Sequence, residues 1–266
     1  MGFHERKRHR PDAPTRRIAI INQKGGVGKS TTAVNLSAAL GDLGYKVLVV
    51  DFDPQGNTTS GYGIEKENLD ACVYNALMEN VSVEDLIVET QVDKVYVVPA
   101  TIQLAGAEIE LVNTMAREGR LKEIVDSVAD EFDYVFIDCP PSLGLLTINS
   151  LVAADSLLIP IQCEYYALEG VTKLLESMRM VRDRLNPDLE IFGVLMTMFD
   201  SRTTLSKQVV DEVRSYFKDK VFKSIIPRSV KISEAPSFGM PVTVYARLNK
   251  GTLAYRSLAK EVIARG

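Results

Sequence analysis

Apolar residues in this chain gather in short continuous runs, separated by stretches of amphipathic, helix-like spacing. Residues 46–50 (KVLVV) are apolar throughout after their first lysine, as a strand covered on both faces should be. Comparable runs predict strands over 16–22, 94–98, 133–138 (DYVFID), 156–161, 191–196 and 221–225. Between them, helical spacing predicts helices over 30–43, stopped by Gly44, and over 102–129, with a break near Gly119. Further helices follow over 167–185, ending before Asn186-Pro187, over 204–217, and over 252–264. Residues 62–92 read as short helices and loops with an acidic bias. Repeated strand–helix units joined by right-handed crossovers predict an α/β fold, with a mostly parallel twisted sheet and helices on both faces. There is no internal repeat and no linker long enough to divide residues 16–266, so they form one domain. Residues 1–15 (MGFHERKRHRPDAPT) carry two prolines, many charges and few apolar residues; they are expected to be a disordered basic arm.

The chemistry concentrates where the first predicted strand meets the first predicted helix. Gln23-Lys24-Gly25-Gly26-Val27-Gly28-Lys29-Ser30-Thr31-Thr32 lies between them, and strand, glycine-rich loop and helix start together form a phosphate cradle. Lys29 would reach the β- and γ-phosphates, and the Ser30 hydroxyl would ligate Mg2+. The usual P-loop has glycine six residues before that lysine. Gln23 stands there instead, and a second lysine, Lys24, precedes a glycine pair. The stretch predicts a nucleoside triphosphate site with one cation to spare.

Two further segments end in carboxylates. Residues 46–50 run into Asp51-Phe52-Asp53-Pro54-Gln55-Gly56-Asn57, which is a turn by composition and also the sheet edge where α/β folds bind ligands. Alternation places Asp51 and Asp53 on one side, and a catalytic or Mg2+-linked role is expected for one of the pair. The run 133–138 ends in Asp138, followed by Cys139-Pro140-Pro141-Ser142. That is the Walker B pattern, in which a strand-end acid supports Mg2+ through its water shell.

Composition narrows the setting. The 266 residues are 46% apolar, enough for a sizeable core. No apolar run approaches the roughly 20 residues of a membrane span, and no secretory segment follows the N-terminus, so a cytoplasmic protein is expected. Cys72, Cys139 and Cys163 are too widely spaced for a disulfide framework or a CxxC metal site, and read as small buried hydrophobes. The net charge of −4 conceals two basic islands: residues 1–17 carry six Lys/Arg against two Asp/Glu, and 202–231 eight against three. Such islands on an acidic body are either solvated faces or an oriented contact for a polyanion.

The segments KGGVGKSTT, DFDPQGN, DYVFIDCPPSLG, QCEYYALEG and IPRSVKISEAPSFGMPV together resemble the ParA/Soj branch of the deviant-Walker (MinD/ParA) P-loop ATPases, which partition chromosomes and plasmids. The likeness is collinear from about Arg16 to the C-terminus. It implies an ATP-dependent homodimer that sandwiches two nucleotides with Mg2+, each Lys24 reaching the partner's phosphates. Lys24, Gly25, Gly26, Val27, Gly28, Lys29, Ser30 and Thr31 would form the nucleotide loop. Asp53 would orient the attacking water, Asp138 would support the metal shell, and Asp51 would stand behind it. Lys24 and Gly25 would lie in the dimer interface, where a side chain on Gly25 would block close approach. Met198, Pro227 and Arg228 would wall the adenine side. Non-specific double-stranded DNA would meet Arg202 and Lys231, with Lys207, Arg214, Lys218, Lys220 and Lys223 as neighbours that composition alone leaves equally open to being solvated. The resemblance further implies a nucleoid-associated protein and a ParB/Spo0J-type partner that stimulates hydrolysis. A lysine at 231, where relatives often carry arginine, keeps the charge but loses the bidentate fork.

The nearest rival is a MinD-like regulator that binds membrane through a C-terminal amphipathic helix. Here the last helix offers Leu258, Val262 and Ile263 without bulky aromatics or a basic cluster, and is expected to pack on the body.

Overall fold

The apolar runs become the strands of an eight-stranded sheet in the computed structural model, which describes residue 10 and residues 12–165 and 167–265. The strands are β1 (Arg16–Ile20), β2 (Val47–Asp51), β3 (Val88–Glu89), β4 (Val95–Val98), β5 (Tyr134–Asp138), β6 (Ser156–Gln162), β7 (Glu190–Phe199) and β8 (Val221–Pro227). Their spatial order is β3-β4-β2-β5-β1-β6-β7-β8, and every neighbouring pair is parallel except β3–β4. All five residues of β2 and of β5 are buried, as a strand covered on both faces requires. Alternation sends them to opposite cores: Leu48, Val50, Val135 and Ile137 face one, Val47, Val49, Tyr134 and Phe136 the other.

The helices are α1 (Lys29–Asp42), α2 (Asn57–Gly61), α3 (Val73–Glu79), α4 (Leu104–Glu110), α5 (Arg120–Asp126), α6 (Leu145–Ala153), α7 (Glu169–Arg184), α8 (Thr204–Phe217), α9 (Val230–Glu234), α10 (Val242–Tyr245) and α11 (Lys250–Ala264). One core takes α3 to α8; the other takes α1, α10 and α11. In α11 the stripe Tyr255, Leu258, Ala259 and Val262 is fully buried against that second core. Among the described residues no helix is long and apolar enough to cross a membrane.

Several elements differ from the sequence expectation: the helices α2, α6, α9 and α10 were not expected, and two other regions depart from what was. The helix expected over 102–129 does break at Gly119, but more widely than expected: it is two seven-residue helices, α4 and α5, separated by a segment in which Ala116 takes a left-handed φ of 53°. The buried Asn149 of α6 stabilises that break: its Nδ2 donates to the Arg117 carbonyl (2.8 Å) and its Oδ1 accepts the Leu121 N–H (3.1 Å). A side chain from a distant helix thus takes up backbone groups that a continuous helix would have paired itself. The short edge strand β3 was also not expected, since two residues carry no periodicity.

Residues 1–9 and 11 of the expected arm lie outside the described residues. Where it is described, the segment touches the sheet's far end. The Thr15 hydroxyl bonds the carbonyls of Ala129 and Phe132 at 2.8 Å each. The Arg10 N–H donates to Asp133 (2.8 Å), and its guanidinium lies 5.2 Å from the Tyr134 ring centre.

At the other end, β1, β2 and β5 finish level with one another. Asp51 pairs in register with Asp138, and Asp138 with Ile20. The loop leaving β1 therefore starts beside two strand-end carboxylates 87 positions apart in the chain.

Candidate nucleotide site

The loop from Ile21 to Gly28 is held at both ends before it turns into α1. Ile21 N–H donates to the Leu158 carbonyl (3.0 Å), and the buried Asn22 donates through Nδ2 to Pro160 (2.7 Å). The Oδ1 of Asn22 accepts the Lys24 N–H (3.0 Å), which folds the chain sharply at the second lysine. Gly26 and Gly28 take φ of 74° and 95°, a region that favours glycine. The Thr197 hydroxyl on β7 then bonds the Val27 carbonyl (2.8 Å), tying the loop to a strand 170 positions away.

The two lysines separate physically. Lys29 is buried, with Nζ 3.4 Å from the Lys24 carbonyl; burial lowers its pKa, opposed by Asp138, Cys139 and Asp53. The Lys24 side chain is exposed at the loop's outer turn. Gly25 beside it is exposed too, and a Cβ there would meet nothing within 4 Å. Nothing within the chain requires glycine at that position.

The carboxylates are anchored by α2, whose first turn follows the Asp53 loop. Both oxygens of Asp51 are bonded: Oδ2 accepts the Thr59 N–H (2.8 Å) and hydroxyl (2.7 Å), and Oδ1 accepts the Asp53 N–H (3.3 Å). In Asp138 only one is. Its Oδ2 accepts the Thr58 hydroxyl (2.8 Å), whereas its Oδ1 is buried without a hydrogen-bond partner. Burial pushes the Asp138 carboxyl up to about 8, with Asp51 adding to the shift and the hydroxyls of Ser30 and Thr58 opposing it. Burial likewise pushes Asp51 up to about 6, against its bonds from Thr59 and Asp53. Asp53 is buried at the cleft wall and accepts the Gln55 N–H (3.0 Å). Burial pushes the Cys139 and Cys163 thiols up to about 12 each, so both are inert at neutral pH.

These elements enclose a cleft of about 450 Å3, lined by Gly25, Gly26 and Gly28 to Thr31, by Asp53, and by Met198, Pro236 and Met240 on the far wall, while the Val27 side chain is buried and does not line it. Met198 sits at φ 52°, an uncommon backbone for a long side chain. Pro227 and Arg228 are not among its lining residues. They close β8, where Arg228 N–H donates to the Phe199 carbonyl (2.9 Å). No cluster of three His, Cys, Asp or Glu among the described residues could hold a metal unaided. The unpartnered Oδ1 of Asp138, Asp53 and the Ser30 hydroxyl instead suit a cation that takes its other ligands from water and phosphate, as Mg2+ does.

The basic island divides. Arg202 and Lys231 follow β7 and β8 and so lie at the cleft's end of the sheet. Lys218, Lys220 and Lys223 lie at the other end, beyond α8, which is about 21 Å long. Lys207 and Arg214 are exposed along α8 between them. Both residues at the cleft's end are engaged within the chain. Arg202 makes a two-pronged bond to Asp200 (2.7 and 2.9 Å) that holds this carboxyl well below its ordinary range. Lys231 pairs with Glu234 at 2.7 Å over the Tyr245 ring.

Known proteins agree with this architecture. A family profile described as "AAA domain" matches residues 15–191. The sporulation initiation inhibitor protein Soj of Bacillus subtilis is 58% identical over 94% of this chain and 98% of its own length. The chain belongs to the ParA/Soj family of chromosome-partitioning ATPases. Another member, the chromosome partitioning protein ParA of Myxococcus xanthus, is 52% identical over 93% of this chain and 88% of its own. Among solved structures, one named cobyrinic acid a,c-diamide synthase from Mycobacterium smegmatis, with bound ADP and magnesium, superposes with a TM-score of 0.83 at 39% identity, over 94% of each chain. Asn22, Thr58, Thr59 and Thr197 join this ParA/Soj site without having been expected from sequence. For Asn22 a signal existed, an Asx residue two before a sharp turn. For the threonines none did, because their partners are distant in the chain.

Proposed function

We propose that this ParA/Soj chain is an ATP-dependent partition switch. ATP with Mg2+ binds in the cleft and drives sandwich dimerisation. The dimer binds DNA without sequence preference, and hydrolysis stimulated by a ParB/Spo0J-type partner releases it, which places the protein on the nucleoid. The observation that carries this reading is the split between the lysines: Lys29 is buried inside the cradle and Lys24 exposed at its rim. A loop with one inward and one outward lysine matches one nucleotide contacted from two chains.

Mg2+, when bound, neutralises phosphate charge during transfer. The chain supplies the rest. Backbone N–H groups of residues 25–31 and the start of α1 hold the phosphates, and Lys29 compensates charge on the transferred group. Asp53, at the cleft wall, orients a water molecule and accepts its proton at a carboxylate oxygen. Asp138 and Ser30 face the metal, and Asp51 braces the Asp53 turn. Met198 contacts the base from the cleft wall; Pro227 and Arg228 would complete that side through the bond of Arg228 to Phe199, next to Met198.

Arg202 and Lys231 are proposed as the principal DNA contacts, because they share the cleft's end of the sheet. Lys207 and Arg214 extend the path along α8, whereas Lys218, Lys220 and Lys223 contact only DNA that follows the helix to its far end. Pairing two such surfaces in a dimer multiplies a weak phosphate affinity. A MinD-like membrane role is disfavoured because the apolar stripe of α11 is already buried. Gel shift on random duplex DNA with ATP, ADP or no nucleotide, run beside light scattering, tests the reading. ATP-Mg2+ alone should give dimers and salt-sensitive binding; absence of both refutes it.

A further inference from the structure

The threonine pair opening α2 treats the two strand-end carboxylates differently. Thr59 holds Asp51 with two bonds and also accepts the Ala100 N–H at 2.9 Å, so that corner is a structural joint. Thr58, fully buried, makes a single bond at 2.8 Å to one oxygen of Asp138, and the other oxygen stays unpartnered though buried. Leaving a buried carboxylate oxygen unpaired costs stability unless a ligand uses it. A lone carboxyl can also rotate about χ2 and present either oxygen, so something must fix which one stays available.

We propose that Thr58 is a positioning residue for the magnesium of the ATP site: its hydroxyl holds Asp138 with Oδ1 available to the metal's shell. The assignment rests on the reading that nucleotide and Mg2+ share this cleft. It gives α2 a task beyond packing, since α2 carries Thr58 five residues after Asp53 and thereby joins the metal-facing acid to the turn that holds the hydrolytic one. Hydrogen-bonded partners of groups at a metal site commonly change metal affinity by tenfold or more when removed.

The test is Mg2+-dependence of nucleotide affinity, which needs no turnover. Binding of a fluorescent ATP analogue is titrated with Mg2+ and with EDTA, and the ratio of the two affinities is compared across variants. Thr58→Val keeps the shape and deletes the hydroxyl; the ratio should fall about tenfold. Thr58→Ser keeps the hydroxyl and loses a methyl; the ratio should stay within about twofold of wild type. A packing role predicts the opposite order, with valine tolerated and serine impaired, and that order overturns the proposal. So does an unchanged ratio in both variants, or an equal fall in both. Should Thr58→Val not fold, Thr58→Ala replaces it, and in an Asp138→Asn background that change should alter the ratio by less than twofold. A larger change there means that Thr58 does not act through Asp138. If wild type itself shows no Mg2+-dependence, the nucleotide-site reading fails first and the role of Thr58 falls with it, an outcome distinct from every variant result.

Discussion

Replacing Asp138 by Asn should stabilise the nucleotide-free protein, and increasingly so as pH rises. The Asp138 carboxyl is pushed from an ordinary 3.8 up to about 8, chiefly by burial. Between those values the unfolded chain has lost this proton and the native chain keeps it, so native stability falls as pH rises through the window. From pH 5.5 to 7.5 the loss from this one group is about 2.5 kcal/mol, taking about 1.4 kcal/mol per pH unit and allowing for partial ionisation near the top. Asparagine, neutral throughout, has no such slope. For a chain of this size that difference is about 5 °C in melting temperature. The assay is thermal unfolding of both proteins at the two pH values, in EDTA without nucleotide. Groups that do not interact with Asp138 titrate in both proteins and cancel, and its neighbours Asp51 and Lys29 feel little change below pH 8, where Asp138 is mostly uncharged. The advantage of the variant should widen by about 5 °C between the two pH values. A constant difference would mean that Asp138 is already ionised in the empty site. ATP with Mg2+ should reverse the ranking, because only the wild type offers the metal a carboxylate.

Three further outcomes follow from the geometry. Gly25→Val should leave folding and ATP binding near wild type, since a Cβ there meets nothing within 4 Å, yet abolish the ATP dimer on light scattering; a dimeric variant would remove residue 25 from the interface. Asp200→Asn should free the guanidinium of Arg202 and raise affinity for random duplex DNA about two- to fivefold, the range of an exposed ion pair. Glu84→Gln, remote from that surface, serves as the control for net charge, and an equal rise in both would refute a specific role for the Asp200 clamp. Thr197→Val should lower the melting temperature by about 2–4 °C through loss of its bond to Val27, and weaken ATP more than ADP in calorimetry.

How far the sequence could be read depended on how local the determining interaction was. The strands were legible because a buried parallel strand must be apolar along its whole length, and 46–50 and 133–138 are. The phosphate loop was legible because its glycines, lysines and following helix start act on one ligand within ten residues. A break near Gly119 was legible too, and Gly119 does directly precede α5; its width was not, because the groups that hold the loop open belong to Asn149, on a helix that starts 25 residues after α5 begins. Nor did the sequence show that Arg202 and Lys231 are each held by a neighbouring acid. Asp200 and Glu234 stand within three positions of them, but only the fold turns that proximity into bonds.

The acids of the site show the same boundary more sharply. Spacing alone placed Asp51 and Asp138 at strand ends, and parallel register made them neighbours. What separates their chemistry is the number of donors each receives; apart from the Asp53 N–H on Asp51, those donors come from α2, eight positions from Asp51 but eighty from Asp138. Three bonds engage both oxygens of Asp51, whereas one bond from Thr58 leaves Asp138 with its other oxygen unpartnered. Two aspartates that look equivalent as strand-end acids therefore diverge into a structural joint and a ligand-facing group. That divergence follows from how one short helix, with no periodicity of its own to announce it, seats two consecutive threonines against two strands.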